Sequence, residues 1–576
     1  MSGFEVALSP VNLLFVAIGV LVGTIVGLLP GLGPTASLAL LLPLTFSLEP
    51  ATAIIMLAGI YYGTMYGGRI PAILLRLPGD SSSVMTTLDG YPMTQQGRAG
   101  PALGITAIGS FLGGTVAIIG LTFLAPVVAN FASSIGAPEM FALTVVGVMM
   151  ISLLGSGSTW KAIAIAGLGI LVSVVGLDPI DGTQRLTFGS IELSGGIDIV
   201  PIAVGLFGLG EIFHSMETGA HEALKSTKLG RILPTRVDWL RSRFAILRSS
   251  ILGFFVGLMP GGGGTISSVL AYGMEKRISK RPKKFGKGAV EGLAATETAD
   301  NASSNSAFIP LLTLGIPPNA VLAVIYGALL LQNITPGPEL INEEPDVFWG
   351  VIASMYIGNV LLLILNLPLI AAFVQILRIP GYVLNPIIVV VALLGVYSVN
   401  NTMFDVYVAI VFGVLGYLLK KWRFDLGPFI LGFILGPIME VQFRRAMLMS
   451  DGSLGIFVER PVSLAMFIVV AIAISFTVIN FLRSRRTGRQ TAGSRVMHAV
   501  THSDEYAEEV REDSLLDDGS ETELEAGTDS AATGEPAAGG PERIPSGTGA
   551  SEARPDSPEK PTTAVRKAPP PLDQQQ

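Results

Sequence analysis

Two glycine- and proline-rich breaks are the residues best placed by type and spacing to bind a charged solute in apolar surroundings. The first reads Gly27-Leu28-Leu29-Pro30-Gly31-Leu32-Gly33-Pro34-Thr35. The second reads Gly257-Leu258-Met259-Pro260-Gly261-Gly262-Gly263-Gly264-Thr265, 230 residues further on. A backbone that breaks inside an apolar segment leaves N–H and C=O groups that only protein or a water-filled cavity can satisfy. The start of a half-helix adds the positive end of its dipole, which suits a carboxylate. Gly31, Gly33 and Thr35, with Gly261, Gly262, Gly263, Gly264 and Thr265, are therefore candidate anion ligands, and Ser37 and Ser267 follow each threonine by two residues. The competing reading of the same glycines is close helix packing; their recurrence as a matched pair favours a binding site.

Arg69 lies in Tyr66-Gly67-Gly68-Arg69-Ile70-Pro71, inside an apolar stretch. A guanidinium there is costly, and its planar fork matches a carboxylate. Asp80-Ser81-Ser82-Ser83, just beyond it, is a secondary candidate and offers Arg69 a structural partner. The run Thr296-Glu297-Thr298-Ala299-Asp300-Asn301-Ala302-Ser303-Ser304-Asn305-Ser306 is too polar to face lipid. Asn301, Ser304 and Asn305 are candidate substrate ligands. Glu297, Asp300, Ser303 and Ser306 are candidates for ion coupling, because hydroxyls and carboxylates are hard oxygen ligands for Na+ and a carboxylate can carry a proton. A helix cap or cytoplasmic loop is the competing reading of this run.

The elements that position these residues are membrane helices. Half the chain is apolar, 14% is charged, and mean hydropathy is +0.60. Several charge-poor stretches reach the roughly 20 residues that span a bilayer core. The fold class is an all-α polytopic membrane protein with about 11–12 spans. The chain has no cysteine, which excludes disulfides and thiol chemistry, and its four histidines, His214, His221, His498 and His502, lack metal-ligand spacing. No phosphate-binding Gly-x-x-x-x-Gly-Lys-[Ser/Thr] loop is present, and nothing points to nucleic acid. The net charge of −7 belongs to the tail: 18 acidic and 8 basic residues lie from Thr487 onward, leaving 26 acidic and 29 basic in the rest.

Charge and repetition set the organisation. Residues 1–216 form a first membrane repeat with its broken segment at 11–48, and residues 249–483 a second. Spans are expected near 51–75, 101–129, 138–155, 160–177, 198–215, 290–332 (itself broken), 347–377, 382–399, 403–420, 427–440 and 462–483. Residues 217–248 read as a basic cytoplasmic connector. Basic residues also follow 249–274, so both ends of that segment lie on the cytoplasmic side, and it reads as a re-entrant hairpin of two halves of about 10 residues each, roughly 15 Å. Five crossings between the two breaks invert the second repeat relative to the first, the architecture of alternating access. Residues 484–576 read as a disordered acidic cytoplasmic tail.

The paired Gly-x-x-Pro-Gly-x-Gly segments, Tyr66 to Pro71, and Asp300 to Ser306 ahead of Ile309-Pro310 together resemble the large membrane subunit of tripartite tricarboxylate transporters, the TctA family. The resemblance spans roughly residues 10–480. It implies secondary, binding-protein-dependent import of a di- or tricarboxylate such as citrate across the bacterial inner membrane, driven by Na+ or H+ and without another cofactor. It also implies two partners besides the lipid bilayer: a small membrane subunit (TctB-like) and an extracytoplasmic solute-binding protein (TctC-like). An intramembrane enzyme acting on an anionic lipid-linked substrate is the alternative, with Glu297 and Asp300 as its only acid/base pair. A passive channel is a third class, which the interrupted helices oppose.

Overall fold

Glycines at every fourth position lock the first two long helices together. In the computed structural model, which describes residues 2–29, 32–154, 158–218, 230–376 and 381–487, a short helix α1 (Ser2–Ala7) leads into α2 (Pro10–Gly27). The first break separates α2 from α3 (Pro34–Leu41), which tightens into a 3-10 turn over Leu42–Thr45 before α4 (Pro50–Leu75). A Cβ on Gly19, Gly23 or Gly27 would run into the α4 backbone at Met56, Ile60 or Thr64, and Gly59, Gly63 and Gly67 answer from α4. Small residues at that spacing let two backbones touch along their length. Close packing thus explains the glycines within the helices, leaving those at the tips to be accounted for.

The chain continues through α5 (Val84–Gln95), α6 (Ala99–Ala132), α7 (Ala137–Leu154) and α8 (Thr159–Ser173). A two-stranded antiparallel hairpin follows, Gly176–Leu177 against Gln184–Arg185, then α9 (Ile191–Ser194). The segment expected at 198–215 is α10 (Ile199–Ala203), a π-helical turn over Val204–Leu209, and α11 (Gly210–Thr218).

The second broken segment differs from expectation in length. Its first arm, α12 (Arg236–Gly257), has 22 residues, roughly 33 Å at the α-helical rise, where a half-helix of about 10 residues starting near Ser249 was expected. Thr235 starts it early: its hydroxyl accepts from the Asp238 N–H while Asp238 accepts from the Thr235 N–H, a capping box. Leu240, Phe244, Leu247, Ile251 and Phe255 form an outward apolar stripe, while Asp238, Ser242, Ser249 and Ser250 are buried. Such a helix offers its apolar face to lipid and its polar face to protein. The second arm is α13 (Gly264–Ile278).

The polar run at 296–306 is one helix, α14 (Val290–Ser306), buried throughout among α6, α12 and α13, so it is neither loop nor cap. A 3-10 turn (Pro282–Lys284) precedes it, and α15 (Phe308–Leu314) and α16 (Ala320–Leu331) complete the region expected as one broken span. Then come α17 (Leu340–Glu343), α18 (Pro345–Ile376), α19 (Gly381–Asn400), α20 (Met403–Lys421), α21 (Gly427–Met449), α22 (Ile456–Glu459) and α23 (Pro461–Thr487). The short span expected at 427–440 is the 23-residue α21.

Among the described residues, five helices are long and apolar enough to cross a membrane, and six shorter apolar helices of 10–17 residues accompany them. Phe123, Val127 and Phe131 on α6, and Ile387, Val390 and Leu394 on α19, turn outward. An outward apolar surface over a core that holds buried polar helices is the pattern of a polytopic all-α membrane protein. The expected tail, 484–576, lies beyond the described residues from position 488 onward.

Candidate functional site

The two breaks end in the same way. Gly33 and Gly263 are both extended N-caps, of α3 and α13, and neither helix start has a side-chain cap. Their first-turn N–H groups are therefore left for another acceptor. Pro30 and Gly31 lie outside the described residues. At the second tip Pro260 supplies no N–H, Gly261 takes φ +76°, and the Gly262 N–H returns to the Met259 carbonyl at 2.8 Å.

Two further turns meet these tips, and they match each other. Pro71 lies five residues before Arg76, and Pro310 five before Gly315. Arg76 (φ +61°) and Gly315 (φ +67°) are left-handed caps of α4 and α15, each directing its N–H to the carbonyl of that proline. The turn after Arg76 packs Gly79 against the backbone of Gly68 and Gly27. The turn after Gly315 brings Asn319 to the start of α16, where its side chain accepts from the Leu322 N–H at 3.0 Å.

Tips and turns together enclose a cavity of about 760 Å³. The N-termini of α3, α13, α16 and α21 all open onto it, through Gly33 to Ala36, Gly263 to Ile266, Asn319 to Val321, and Leu426 to Pro428. Tyr61, Met65, Phe207 and Leu431 supply apolar walls; Lys420 and Arg423 bring cationic side chains, Glu211, Asp80 and Asp425 acidic ones. Lys420 is paired with Glu211. The Thr265 hydroxyl donates to Ser81 Oγ at 3.2 Å, joining α13 to the turn after α4.

The expected ligands divide into two groups. Gly33, Thr35, Gly261, Gly263 and Thr265 line the cavity. Gly262 belongs to the turn behind it. Ser37 and Ser267 are fully buried and turn back on their own helices, Ser37 to the Gly33 carbonyl (2.9 Å) and Ser267 to that of Gly264 (2.8 Å). Ser267 also reaches Ser303 at 3.0 Å.

Arg69 and the α14 residues form a separate buried cluster. Arg69 is wholly inside, its guanidinium 4.3 Å from the Tyr66 ring centroid and Nη1 donating to Ser110 Oγ at 3.2 Å. Asn301 Nδ2 donates to the same Ser110 oxygen at 2.8 Å, and Thr86 donates to Glu297 Oε1 at 2.5 Å. Arg69 Nε and Nη2 and Glu297 Oε2 have no hydrogen-bond partner, though Arg69 and Glu297 are close enough to interact through charge. Asn305 donates to the Asn301 carbonyl, Ser303 to that of Asp300 and Ser306 to that of Ser303. Ser304 Oγ and Asp300 Oδ1 are buried without partners. Asp300 sits directly behind the cavity wall, its Oδ2 3.0 Å from Ser82 Oγ.

Sequence reasoning passed over Asn319, Glu211, Lys420 and Arg423 as site residues, and held Asp80 to Ser83 only as secondary. Asn319 had a signal of its own, an N-cap residue before an apolar run. Lys420 and Arg423, directly after the span expected at 403–420, read from sequence only as charges that the positive-inside rule puts on the cytoplasmic side. Among the described residues no group of three or more His, Cys, Asp or Glu is placed to hold a metal ion.

Comparison with known proteins follows the same lines. The family model described as "Tripartite tricarboxylate transporter TctA family" matches residues 13–431. An Agrobacterium vitis protein named as an uncharacterized 52.8 kDa protein in the TAR-I ttuC' 3' region is 48% identical over 484 residues, covering 84% of this chain and 96% of that protein. Another from Agrobacterium vitis, in the TAR-II ttuC' 3' region, is 48% identical over 234 residues, covering 41% of this chain and 97% of its own length. No solved structure matches the chain.

Proposed function

The chain belongs to the tripartite tricarboxylate transporter TctA family, a family of transporters and not of enzymes, and from this we propose that it imports a small di- or tricarboxylate, such as citrate, as the large membrane subunit of a binding-protein-dependent secondary carrier. The observation that carries the reading is the convergence of four helix N-termini, from α3, α13, α16 and α21, on one cavity. Each brings a partial positive charge of about half an elementary unit. Those of α3, α13 and α16 also offer N–H groups, whereas at α21 Pro428 has none and the Gly427 and Phe429 N–H groups go to Asp425 and the Leu426 carbonyl. With Lys420 and Arg423 beside them they suit a solute bearing two or three carboxylates. Broken helices at matching positions in two halves are also how secondary carriers build a midplane site.

On this reading the two halves are inverted repeats that rock against one another about the cavity, driven by a Na+ or H+ gradient. The membrane is the bacterial inner membrane, and the tail from residue 484 is cytoplasmic. Lys420 and Arg423 lie where the positive-inside rule puts the cytoplasm, so the cationic wall marks the release side. A small membrane subunit (TctB-like) and an extracytoplasmic solute-binding protein (TctC-like) complete the system.

The test is uptake of labelled carboxylates, citrate first, in cells without their own carriers. The chain is expressed alone and with both partner types, with and without Na+. Uptake confined to the complete, gradient-energised system supports the proposal. Absence of uptake for every carboxylate, with all parts shown to be in the membrane, overturns it.

A further inference from the structure

A single hydroxyl stands between two carboxyl groups where the first half of the chain meets the second, one half-buried at the cavity wall (Asp80) and one buried behind it (Asp300). Ser82 Oγ lies 3.0 and 2.9 Å from the two oxygens of Asp80 and 3.0 Å from Oδ2 of Asp300. Ser82 is 5% exposed and Asp300 3%. A hydroxyl carries one proton, so it can donate to only one of these groups. Were both carboxyls ionised, the one left without that proton would face an oxygen lone pair and a like charge, and Asp300 would do so away from water. One added proton removes both conflicts: Asp300 donates through Oδ2 to Ser82, and Ser82 donates to Asp80. Asp300 Oδ1 then stays as the carbonyl oxygen of a neutral acid, which agrees with its being buried without a hydrogen-bond partner. Its space is fixed by α13, since a Cβ on Gly264 would collide with it.

We infer that Asp80, Ser82 and Asp300 hold the coupling proton of this carrier, an inference that rests on the transport reading of the adjoining cavity. Asp80 and Ser82 line that cavity and Asp300 does not, so substrate and proton share one wall, the turn between α4 and α5. Separation of this turn from α14 withdraws Ser82, admits water to Asp300 and lets the proton leave; re-docking requires a proton to be taken up. The charged and titratable groups around the pair are Tyr61 and Arg69 on α4, Glu297 one turn earlier on α14, and, across the cavity, Lys420 and Arg423 with Glu211 and Asp425. From α5 and α13 the near side chains are Thr86 and Thr265, which do not titrate.

The test is infrared difference spectroscopy of the purified full chain in lipid across a pH titration, which reads protonated buried carboxyls without any substrate. A carboxylic-acid C=O band is expected in the wild type, lost in both Asp300→Asn and Asp80→Asn and retained in Glu297→Gln. Two aspartate variants keep the test usable if one fails to fold. A band unchanged in both, or none in the wild type, overturns the proposal. A carboxylate band that responds to Na+ but not to pH assigns the site to sodium and overturns it equally. In the complete system loaded with labelled citrate, Asp300→Asn should lose gradient-driven accumulation at least tenfold yet keep citrate exchange. Equal loss of both would make Asp300 structural rather than coupling, whereas a wild type that handles no carboxylate while still showing the band fails the transport reading and leaves the proton site standing.

Discussion

The backbone N–H of Gly261 donates to the carbonyl of Pro318 at 2.9 Å, tying the tip of the second break to the turn that starts α16. Gly261 makes this bond at φ +76°, and a Cβ there would lie 2.9 Å from the Met150 carbonyl oxygen. Gly263, two residues on, is extended and its Cβ would meet nothing. Gly261→Ala should therefore destabilise the purified protein by about 1–2 kcal/mol from the left-handed conformation alone, and more from the contact with Met150. Gly263→Ala should cost less, about 0.5–1 kcal/mol, because alanine is a poorer N-cap than glycine. Thermal unfolding in detergent compares them. Equal losses would show that the tip tolerates any backbone and is not held by Pro318.

The pairing of Gly33 with Gly263 was legible because each break is local: glycine and proline act on their own backbone, and the 230-residue repeat could be read directly. The polarity of α14 was legible for the same reason. Its partners were not. Ser82 meets Asp300 across 218 positions and Thr265 meets Ser81 across 184, and no periodicity in one segment records what lies opposite another. Arg69 is a case of the same kind: its chemistry is local, but only the fold shows that α4 carries it to α6 and Ser110, outside the lining of the cavity. The start of α12 was visible as Thr235-x-x-Asp238, yet the basic residues around it read as a connector.

Arg69 and Glu297 are both buried, and each carries polar atoms without partners. Each tempers the other's charge, so removing one exposes the cost of the other. Arg69→Met should destabilise the protein by about 3–5 kcal/mol, the usual penalty for orphaning a buried charge. Adding Glu297→Gln should restore most of that loss. Folded yield from membranes and the unfolding temperature are the readouts. A double variant no better than Arg69→Met would separate the two residues energetically.

Asp238 joins α12 to the start of α6. It accepts from the Thr235 hydroxyl (2.7 Å), the Thr235 N–H (3.0 Å) and Arg98 Nη2 (2.5 Å). Burial pushes its carboxyl up, but Thr235 and Arg98 outweigh this and hold it below the usual carboxylate range. A depressed folded value means the stabilisation is present above the unfolded pKa, near 3.9, and is lost as pH falls through the folded one. Asp238→Asn should thus lower the unfolding temperature at neutral pH, with the difference from wild type shrinking in acid. Thr235→Ala should cost about 1 kcal/mol at neutral pH as a lost cap. A penalty for Asp238→Asn that does not vary with pH would mean packing, not charge, is what Asp238 contributes.

Thr265 and Ser267 stand two residues apart on α13 and separate the binding role from the packing role. The Thr265 side chain lines the cavity and reaches Ser81, whereas Ser267 is sealed against Ser303. Thr265→Val keeps the shape and removes the hydroxyl. If that hydroxyl helps hold the carboxylate, its loss forfeits about 1–1.5 kcal/mol, which is roughly a five- to tenfold rise in the KM for uptake, with the unfolding temperature nearly unchanged. Ser267→Ala should do the reverse: KM stays close to wild type, while stability falls because the buried hydrogen bond between Ser267 and Ser303 is lost. Paired uptake and unfolding measurements on the two variants decide it. If Ser267→Ala raises KM and Thr265→Val does not, the ligand-bearing face of α13 is the one turned to α14, and the cavity at the helix N-termini is not where the substrate binds.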